Sequence, residues 1–218
     1  MLIPYRVNIG MGRWPFANFL LVIVTFFAFF FFVGGEFTEE TIKPYFLSGW
    51  SLPGMFSHIM IHGGLVHLIG NLIFLWVFGN AICSKLGNLA YIFVYVALGL
   101  AAASTHLVLD GRPAIGASGA INGVVGMFVV FYPLNTVDLF YIVFYRFGTV
   151  SIGSMWIVFF WLVFDIIGAA TGSGGVGYWA HVGGFAGGFL LACVLLKLHW
   201  VKMTAYEKSL LDIFSREE

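Results

Sequence analysis

Six apolar segments, separated by polar breaks, make up most of the chain. They run over Pro15–Val33, Leu65–Ser84, Leu89–Leu107, Ala114–Leu134, Val150–Ala170 and Tyr178–Leu196. Each is close to the roughly 20 residues that a helix needs to cross the hydrocarbon core of a bilayer. The pattern therefore predicts an all-α protein, a bundle of six transmembrane helices over residues 15–198, and the mostly short connections are typical of a single domain.

The segments outside the six spans differ in character. The longest connection, residues 34–64, is rich in aromatic side chains and poor in charges, so we expect it to embed partly in the outer membrane interface as short helices. Leu139–Tyr145, on the other side, is too short to span. Residues 1–14 and 199–218 are an N-terminal segment and a C-terminal tail, and an even number of spans places both on one side.

Composition and charge agree with a membrane protein and set its orientation. The 218 residues are 61% hydrophobic and only 9% charged. Basic residues are enriched on the cytoplasmic side of membrane proteins, and eight of the ten lie on one side if both termini are cytoplasmic. That set is Arg6, Arg13, Lys85, Arg146, Lys197, Lys202, Lys208 and Arg216, which leaves Lys43 and Arg112 outside. We expect the cytoplasmic membrane of a prokaryote.

Several classes of function are disfavoured. The formal net charge is zero, so no basic patch indicates nucleic-acid binding. The two cysteines, Cys83 and Cys193, lie in apolar segments and do not indicate a disulfide framework or a metal site. No H-E-x-x-H motif is present, which disfavours a zinc protease. We expect no metal and no organic cofactor.

The orientation places a set of polar residues at one depth. The second, fourth and sixth spans all run from outside to inside, so their starts meet at one level. His67 and Asn71 stand near the start of the second span, four residues apart and so on one helix face. Ser118 stands near the start of the fourth span, with Asn122 one turn below, and His181 near the start of the sixth. At 1.5 Å per residue the set lies on the order of 5–10 Å below the outer helix ends.

Ser118 combines this depth with features of a nucleophile. It lies in Gly116-Ala117-Ser118-Gly119, within about the first turn of its span, where backbone N–H groups are unpaired and carry partial positive charge. Such donors suit a developing oxyanion, and Gly116 and Gly119 would let a substrate backbone approach closely.

Glycines also predict how the fourth and sixth helices meet. Ala180, Gly184 and Gly188 form a small-xxx-small run, and Gly119 and Gly123 repeat that spacing on the fourth helix. Facing glycine surfaces let helix backbones approach closely. The His181 imidazole could then come within about 3 Å of the Ser118 hydroxyl, forming a Ser–His dyad.

Other polar residues keep two interpretations. His58 and His62 are loop residues that we expect only to support His67, and His106 and His199 are typical of hydrogen-bonded packing. Asp165 is the one acid within a span. It is either a structural hydrogen-bond acceptor or a third catalytic member that orients His181.

The chain resembles the rhomboid intramembrane serine proteases in three motifs. Gly116-Ala117-Ser118-Gly119 matches the G-x-S-G nucleophile motif of that family, and the stretch from Ala180 to Gly188 matches its A-H-x-x-G-x-x-x-G helix. His58, His62, His67 and Asn71, followed by Leu75-Trp76-Val77-Phe78-Gly79, resemble its histidine-rich entry to the second helix.

The resemblance implies roles for these residues. Ser118 would be the nucleophile, His181 the general base and acid, and His67, Asn71 and the Ser118 amide the oxyanion hole, with single-pass membrane proteins as substrates. The family works as a dyad, which leaves Asp165 outside the chemistry. Two positions depart from its pattern: Pro53-Gly54 replaces a Trp-Arg pair, and Asn122 replaces an aromatic ring four residues after the serine.

Asn122 leads to a prediction from this chain alone. Its side-chain carbonyl could accept a hydrogen bond from one imidazole nitrogen of His181 and so leave the other free to take the serine proton. Two other classes stay open for the whole protein. It could be a non-catalytic membrane chaperone that holds clients in the same cavity, or a haem- or metal-binding bundle that uses His67 and His181 as ligands.

Overall fold

The computed structural model describes residues 2–35, 37–172 and 175–215, and it is mostly helical. The long helices are α1 (Phe16–Gly34), α2 (Leu65–Leu86), α3 (Asn88–Leu109), α4 (Ser118–Phe131), α5 (Ser154–Thr171) and α6 (Tyr178–Lys197). Leu75–Gly79, within α2, is π-helical. All of these except α4 are apolar and long enough to cross a membrane. The prediction of a helical, multi-pass membrane protein is confirmed at this level.

Helix α4 is shorter than the predicted span over Ala114–Leu134. It has 14 residues, which at the α-helical rise is about 21 Å against a hydrocarbon core of about 30 Å. Its start is delayed because Ala114 pairs with Leu47 as an isolated antiparallel bridge and Gly116 has φ of 119°, which is not helical. Its end precedes Pro133, which disfavours helical backbone in the residue before it.

The prediction of an all-α fold is wrong in one region. A three-stranded antiparallel sheet, in the order β1-β2-β3, is formed by β1 (Leu2–Val7), β2 (Thr136–Val143) and β3 (Arg146–Gly153). The residues of β2 are mostly β-branched or aromatic, which favours a strand, and β1 lies more than 120 residues earlier in the sequence. Because Val150 belongs to β3, the helix predicted over Val150–Ala170 begins four residues later, at Ser154.

The connections assign the loops to two ends of the bundle. The sheet lies at one end, where Lys85 also pairs with Glu207 of the C-terminal tail and the Arg13 N–H donates to Ser84 Oγ. The 34–64 loop lies at the other end and contains short helical segments, as predicted: Glu39–Ile42, Lys43–Tyr45, Leu52–Ser57 and His58–Met60. Which end faces the cytoplasm stays a prediction, and Arg216, one of the residues used for it, lies outside the described residues.

Helix α4 forms the centre of the bundle. Nearly all of its side chains are buried, and it packs on α3, α6 and the middle of α2. Phe128 of α4 meets Phe78 of α2 edge to face at a ring distance of 5.0 Å, and both rings are fully buried. Helices α1 and α5 are peripheral, with most of their apolar side chains exposed on the outside of the bundle. The first residue of the central helix, Ser118, is thereby held in the middle of the molecule.

Candidate active site

Ser118 is the first residue of α4. The predicted span began four residues earlier, at Ala114, so Ser118 lies one turn nearer the start of its helix than expected. The extended stretch before it is held on both sides: Leu47 and Ala114 exchange two backbone hydrogen bonds of 2.9 and 3.0 Å, and the Gly116 N–H donates to the His58 carbonyl at 2.8 Å. At the first position of a helix the N–H has no carbonyl of the preceding turn to bond with. The loop from residue 34 to 64 therefore positions Ser118 from outside the helix.

His181 reaches Ser118 from α6. Its Nε2 lies 2.8 Å from Ser118 Oγ, a normal hydrogen-bond distance. His181 stands in the first turn of α6, and Ser118 stands at the start of α4, so both side chains lie at the same end of the bundle. The structure thus brings together the two residues that the sequence predicted as a dyad.

The glycine faces explain this contact. A Cβ at Gly184 would lie 2.0 Å from the Gly119 carbonyl oxygen, and one at Gly188 would lie 1.8 Å from the Gly123 carbonyl oxygen. Both distances are far below van der Waals contact, so no other residue fits without moving a helix. Gly119 itself packs on Ala102 and Ala180. The close approach of α4 and α6 at these glycines sets the separation of Ser118 and His181.

Asp165 of α5 holds the other side of the imidazole. Its Oδ1 lies 2.9 Å from His181 Nδ1. Because a carboxylate can only accept a hydrogen bond, Nδ1 carries the proton and Nε2 accepts from the Ser118 hydroxyl. The sequence left two interpretations for Asp165, a structural acceptor or a residue that orients His181, and it did not indicate which way the side chain faces.

Asn122 makes no hydrogen bond to His181, in contrast to the bond expected from the sequence. Its Nδ2 donates to the Ser118 backbone carbonyl at 3.0 Å, one turn back on the same helix. Both ring nitrogens of His181 already have partners, Ser118 and Asp165. The prediction that Asn122 orients the imidazole is therefore wrong, and its side chain closes a local bond of α4.

His67 and Asn71 face the loop that precedes Ser118. A Cβ at Gly116 would lie 2.7 Å from His67 Cε1 and 3.8 Å from Asn71 Nδ2, so the glycine lets the loop pass directly against both side chains. Asn71 is buried, and its Nδ2 has no hydrogen-bond partner among the described residues. An unpaired buried N–H costs roughly 1–3 kcal/mol, so this donor is free for a group that enters the site.

A cavity of about 1030 Å³ connects these residues. Its wall includes every residue predicted to carry the chemistry: His67, Asn71, Ser118, Asn122 and His181. Asp165, Trp161 and Phe164 of α5 line it too, and its rim at the loop end includes Arg112 and Gly175–Gly177. Such a volume is ordinary for a ligand site, and its wall is mainly apolar with a few convergent polar groups.

The remaining histidines support the loop. His58 Nδ1 donates to the Gly54 carbonyl at 2.9 Å, and burial lowers the pKa of His58. Burial also lowers the pKa of His62 to about 4, so this ring, 5.2 Å from the His67 ring, is neutral at pH 7. His106 Nε2 donates to the Arg112 carbonyl at 2.8 Å. These contacts are structural.

The departure at Pro53-Gly54 has a local explanation. Gly54 is buried, and a Cβ there would lie 2.2 Å from the Phe46 carbonyl oxygen. Its N–H donates to Ser51 Oγ, which caps the helix Leu52–Ser57, and Ser57 Oγ donates to the carbonyls of Pro53 and Tyr45. Backbone contacts and small side chains therefore anchor this loop.

Fold and site together define a class. The chain is a multi-pass helical membrane protein whose central helix begins at a serine, and that serine is hydrogen-bonded to a histidine inside a cavity. Among the described residues, no group of three His, Cys, Asp or Glu side chains could hold a metal ion. The arrangement is that of a Ser–His pair in a membrane bundle.

Comparison with known proteins identifies the family. The Rhomboid domain matches residues 49–198, more than half of the chain. The chain therefore belongs to the rhomboid family. It is 26% identical over 189 residues to Rhomboid protease GluP of Bacillus subtilis, covering 83% of this chain and 35% of that protein.

Two further relatives show the same range of similarity. RHOMBOID-like protein 4 of Arabidopsis thaliana is 32% identical over 168 residues, or 75% of this chain and 38% of that protein. Rhomboid protease GlpG of Klebsiella pneumoniae is 26% identical over 139 residues, which cover 64% of this chain and 47% of that protein. The chain thus spans between about a third and a half of the length of these relatives.

Proposed function

We propose that this protein is an intramembrane serine endopeptidase. The observation that carries the proposal is the 2.8 Å hydrogen bond between Ser118 Oγ and His181 Nε2, made in a cavity large enough for an unwound peptide segment. A serine needs an adjacent base to act as a nucleophile, and this contact supplies one. Two of the relatives are named rhomboid proteases, which supports the same activity.

The reaction would proceed through an acyl-enzyme. His181 Nε2 takes the Ser118 hydroxyl proton while Oγ forms a bond to the scissile carbonyl carbon, and the carbonyl oxygen takes up the negative charge. The imidazolium then gives its proton to the leaving amine as the C–N bond breaks. A water molecule, activated by the same imidazole, hydrolyses the ester and restores Ser118.

The oxyanion would bind at the loop before α4. The Ser118 N–H at the helix start, the unpaired Nδ2 of buried Asn71 and the His67 ring all face this region. Donors that are fixed before the reaction stabilise developing charge without the cost of reorganisation. Asn71 suits this role because its Nδ2 has no competing partner among the described residues.

The location of the cavity supports a proposal for the substrates and for the topology. The catalytic residues lie at the end of the bundle that carries the 34–64 loop, which charge predicts to be outside. We therefore infer single-pass transmembrane substrates, cut near the outer end of their span. The six-helix protease domain would comprise residues 15–198, with residues 1–14 and 199–218 cytoplasmic, in the cytoplasmic membrane of a prokaryote.

Purified protein tests the proposal directly. The unmutated protein should be labelled by a serine-directed fluorophosphonate and should cleave a model transmembrane substrate. Ser118→Ala should remain folded but should be neither labelled nor active. The loss should exceed about 10⁴-fold in kcat, because removing one member of such a pair costs about as much as removing both. Client binding without labelling or cleavage by the unmutated protein would favour a non-catalytic rhomboid-like protein instead.

A further inference from the structure

The His181 ring is held from both sides, and the second contact goes beyond a Ser–His pair. Asp165 Oδ1, His181 Nδ1, His181 Nε2 and Ser118 Oγ form one chain of hydrogen bonds of 2.9 and 2.8 Å. Three different helices, α5, α6 and α4, supply its members. We propose that Asp165 is a positioning residue for His181, so that the reaction of this protein, if it is the protease proposed above, uses a Ser–His–Asp arrangement.

The location of Asp165 supports a role beyond packing. It is the only acid in the helices of membrane-spanning length, in the described residues and in the sequence alike. An ionisable residue within a span is costly and is retained mainly where it has a partner and a function. Asp165 lies on the cavity wall, and among the described residues His181 is the one partner that its oxygen contacts at hydrogen-bond distance.

The contact selects the tautomer that the reaction needs. A neutral imidazole carries its proton on one nitrogen, and a carboxylate beside Nδ1 keeps the proton there. Nε2 then has a free lone pair directed at the Ser118 hydroxyl. Without Asp165, the tautomer with the proton on Nε2 would become competitive, and that form cannot take the serine proton. During the reaction the Asp165 carboxylate keeps its charge and stabilises the imidazolium; it does not itself become protonated.

The surroundings of His181 leave this task to Asp165. The ring meets Tyr178 edge to face at a centroid distance of 6.0 Å, which restrains the ring but offers no acceptor in hydrogen-bond contact. Asn122, one turn after Ser118 on α4, donates to the Ser118 carbonyl. His67 of α2 is the titratable neighbour on the remaining side, and it has no hydrogen bond to His181.

The packing of α5 on α6 holds Asp165 in place. Gly168 lies three residues after Asp165, and a Cβ there would lie 2.5 Å from the Tyr178 ring. The glycine therefore lets Tyr178 fit against α5 next to the Asp165–His181 bond. Most of the other side chains of α5 are exposed. The packing of Tyr178 against Gly168 is therefore one of the few contacts that hold α5 with its Asp165 carboxylate next to the imidazole.

Steady-state kinetics of Asp165→Asn on the full chain tests the proposal. We expect kcat to fall by about 10²- to 10⁴-fold, as for the loss of the acid in other Ser–His–Asp sites, with KM within about threefold of the unmutated value. Labelling of Ser118 by the fluorophosphonate should slow by a similar factor. Asp138→Asn is the matched control, since Asp138 also accepts side-chain hydrogen bonds but lies away from the cavity, and it should leave kcat unchanged.

A second variant separates positioning from structure. Asp165→Ala leaves a gap on the wall of the open cavity, and added sodium formate should restore part of kcat in proportion to its concentration. A kcat of Asp165→Asn within about threefold of the unmutated value would overturn the proposal. Loss of activity in both variants with a lowered melting temperature and no effect of formate would also overturn it, in favour of a structural acceptor. The unmutated protein must cleave and label in the same assay, so failure of the protease proposal itself would be seen separately.

Discussion

Two clusters around an aspartate lie at opposite ends of this molecule and differ in how fully their polar groups are paired. At the sheet end, Asp138 is buried and accepts hydrogen bonds from Ser151 at 2.6 Å, Arg6 at 2.8 Å and Asn8 at 3.0 Å. At the cavity end, Asp165 contacts one partner, His181, and the nearby Asn71 amide has none among the described residues.

The difference separates a structural cluster from a site prepared for chemistry. Buried polar groups that are fully paired stabilise one arrangement of the chain, and here they join β1 to β2 and β3. Unpaired donors beside a cavity cost stability and are retained where a ligand or transition state pairs with them. We therefore expect substitutions at the cavity end to change rate and those at the sheet end to change stability.

Gly184→Val should have the largest effect in this comparison. A Cβ at this position would already lie 2.0 Å from the Gly119 carbonyl oxygen, so α6 must move away from α4 and carry His181 with it. A displacement of about 1 Å can cost on the order of 10²-fold in rate, and we expect at least that loss in kcat/KM.

Gly187→Ala is the matched control for Gly184→Val. It lies on the same helix, and its Cβ would meet Ala101 at 3.4 Å, an ordinary contact. Substrate cleavage and melting temperature should both stay close to the unmutated values. Full activity in Gly184→Val would show that the glycine face does not set the separation of Ser118 and His181.

Asn71→Ala should lower kcat by about 10²-fold with little change in KM, because an oxyanion donor acts mainly in the transition state. Asn122→Ala is its control: both side chains line the cavity, but the Asn122 amide already donates to the Ser118 carbonyl. We expect Asn122→Ala to keep kcat within about threefold, the equivalent of a local hydrogen bond. A raised KM with unchanged kcat in Asn71→Ala would instead indicate substrate binding.

Asp138→Asn should have the smallest effect on activity and a clear effect on stability. Hydrogen bonds from Ser151, Arg6 and Asn8 lower the pKa of Asp138 below its ordinary value of 3.8. A lowered folded-state pKa contributes stability above about pH 4 that is lost as the pH falls through that folded value. In detergent, Asp138→Asn should melt at a lower temperature than the unmutated protein at pH 7, and this difference should shrink at pH 3. A reduced kcat in Asp138→Asn would contradict the expectation that substitutions at the sheet end change stability and not rate.

Much of this site could be predicted because the signals were local. The position of Ser118 between Gly116 and Gly119 and the glycine spacing of the two helices are properties of short stretches, and the alternation of the spans gave the depth that Ser118 shares with His181. The length of α4 could not be predicted from local sequence, since the bridge between Leu47 and Ala114, which delays the start of the helix, joins residues far apart in the sequence. The sheet was missed for the same reason, because β2 is stabilised by a strand at the other end of the chain.

The partner of His181 shows where the sequence stops determining the structure. Composition and span length by themselves determined a membrane bundle, and the order of the spans placed Ser118 and His181 at one level, while three motifs resembled the rhomboid family. Only the tertiary structure decided that Asp165, and not Asn122, bonds to His181 Nδ1. The reason is that α5 is apolar on nearly every side, so its sequence contains no amphipathic pattern to fix its rotation about its own axis. Packing against α6, through Gly168 and Tyr178, sets that rotation and turns the carboxylate toward the imidazole.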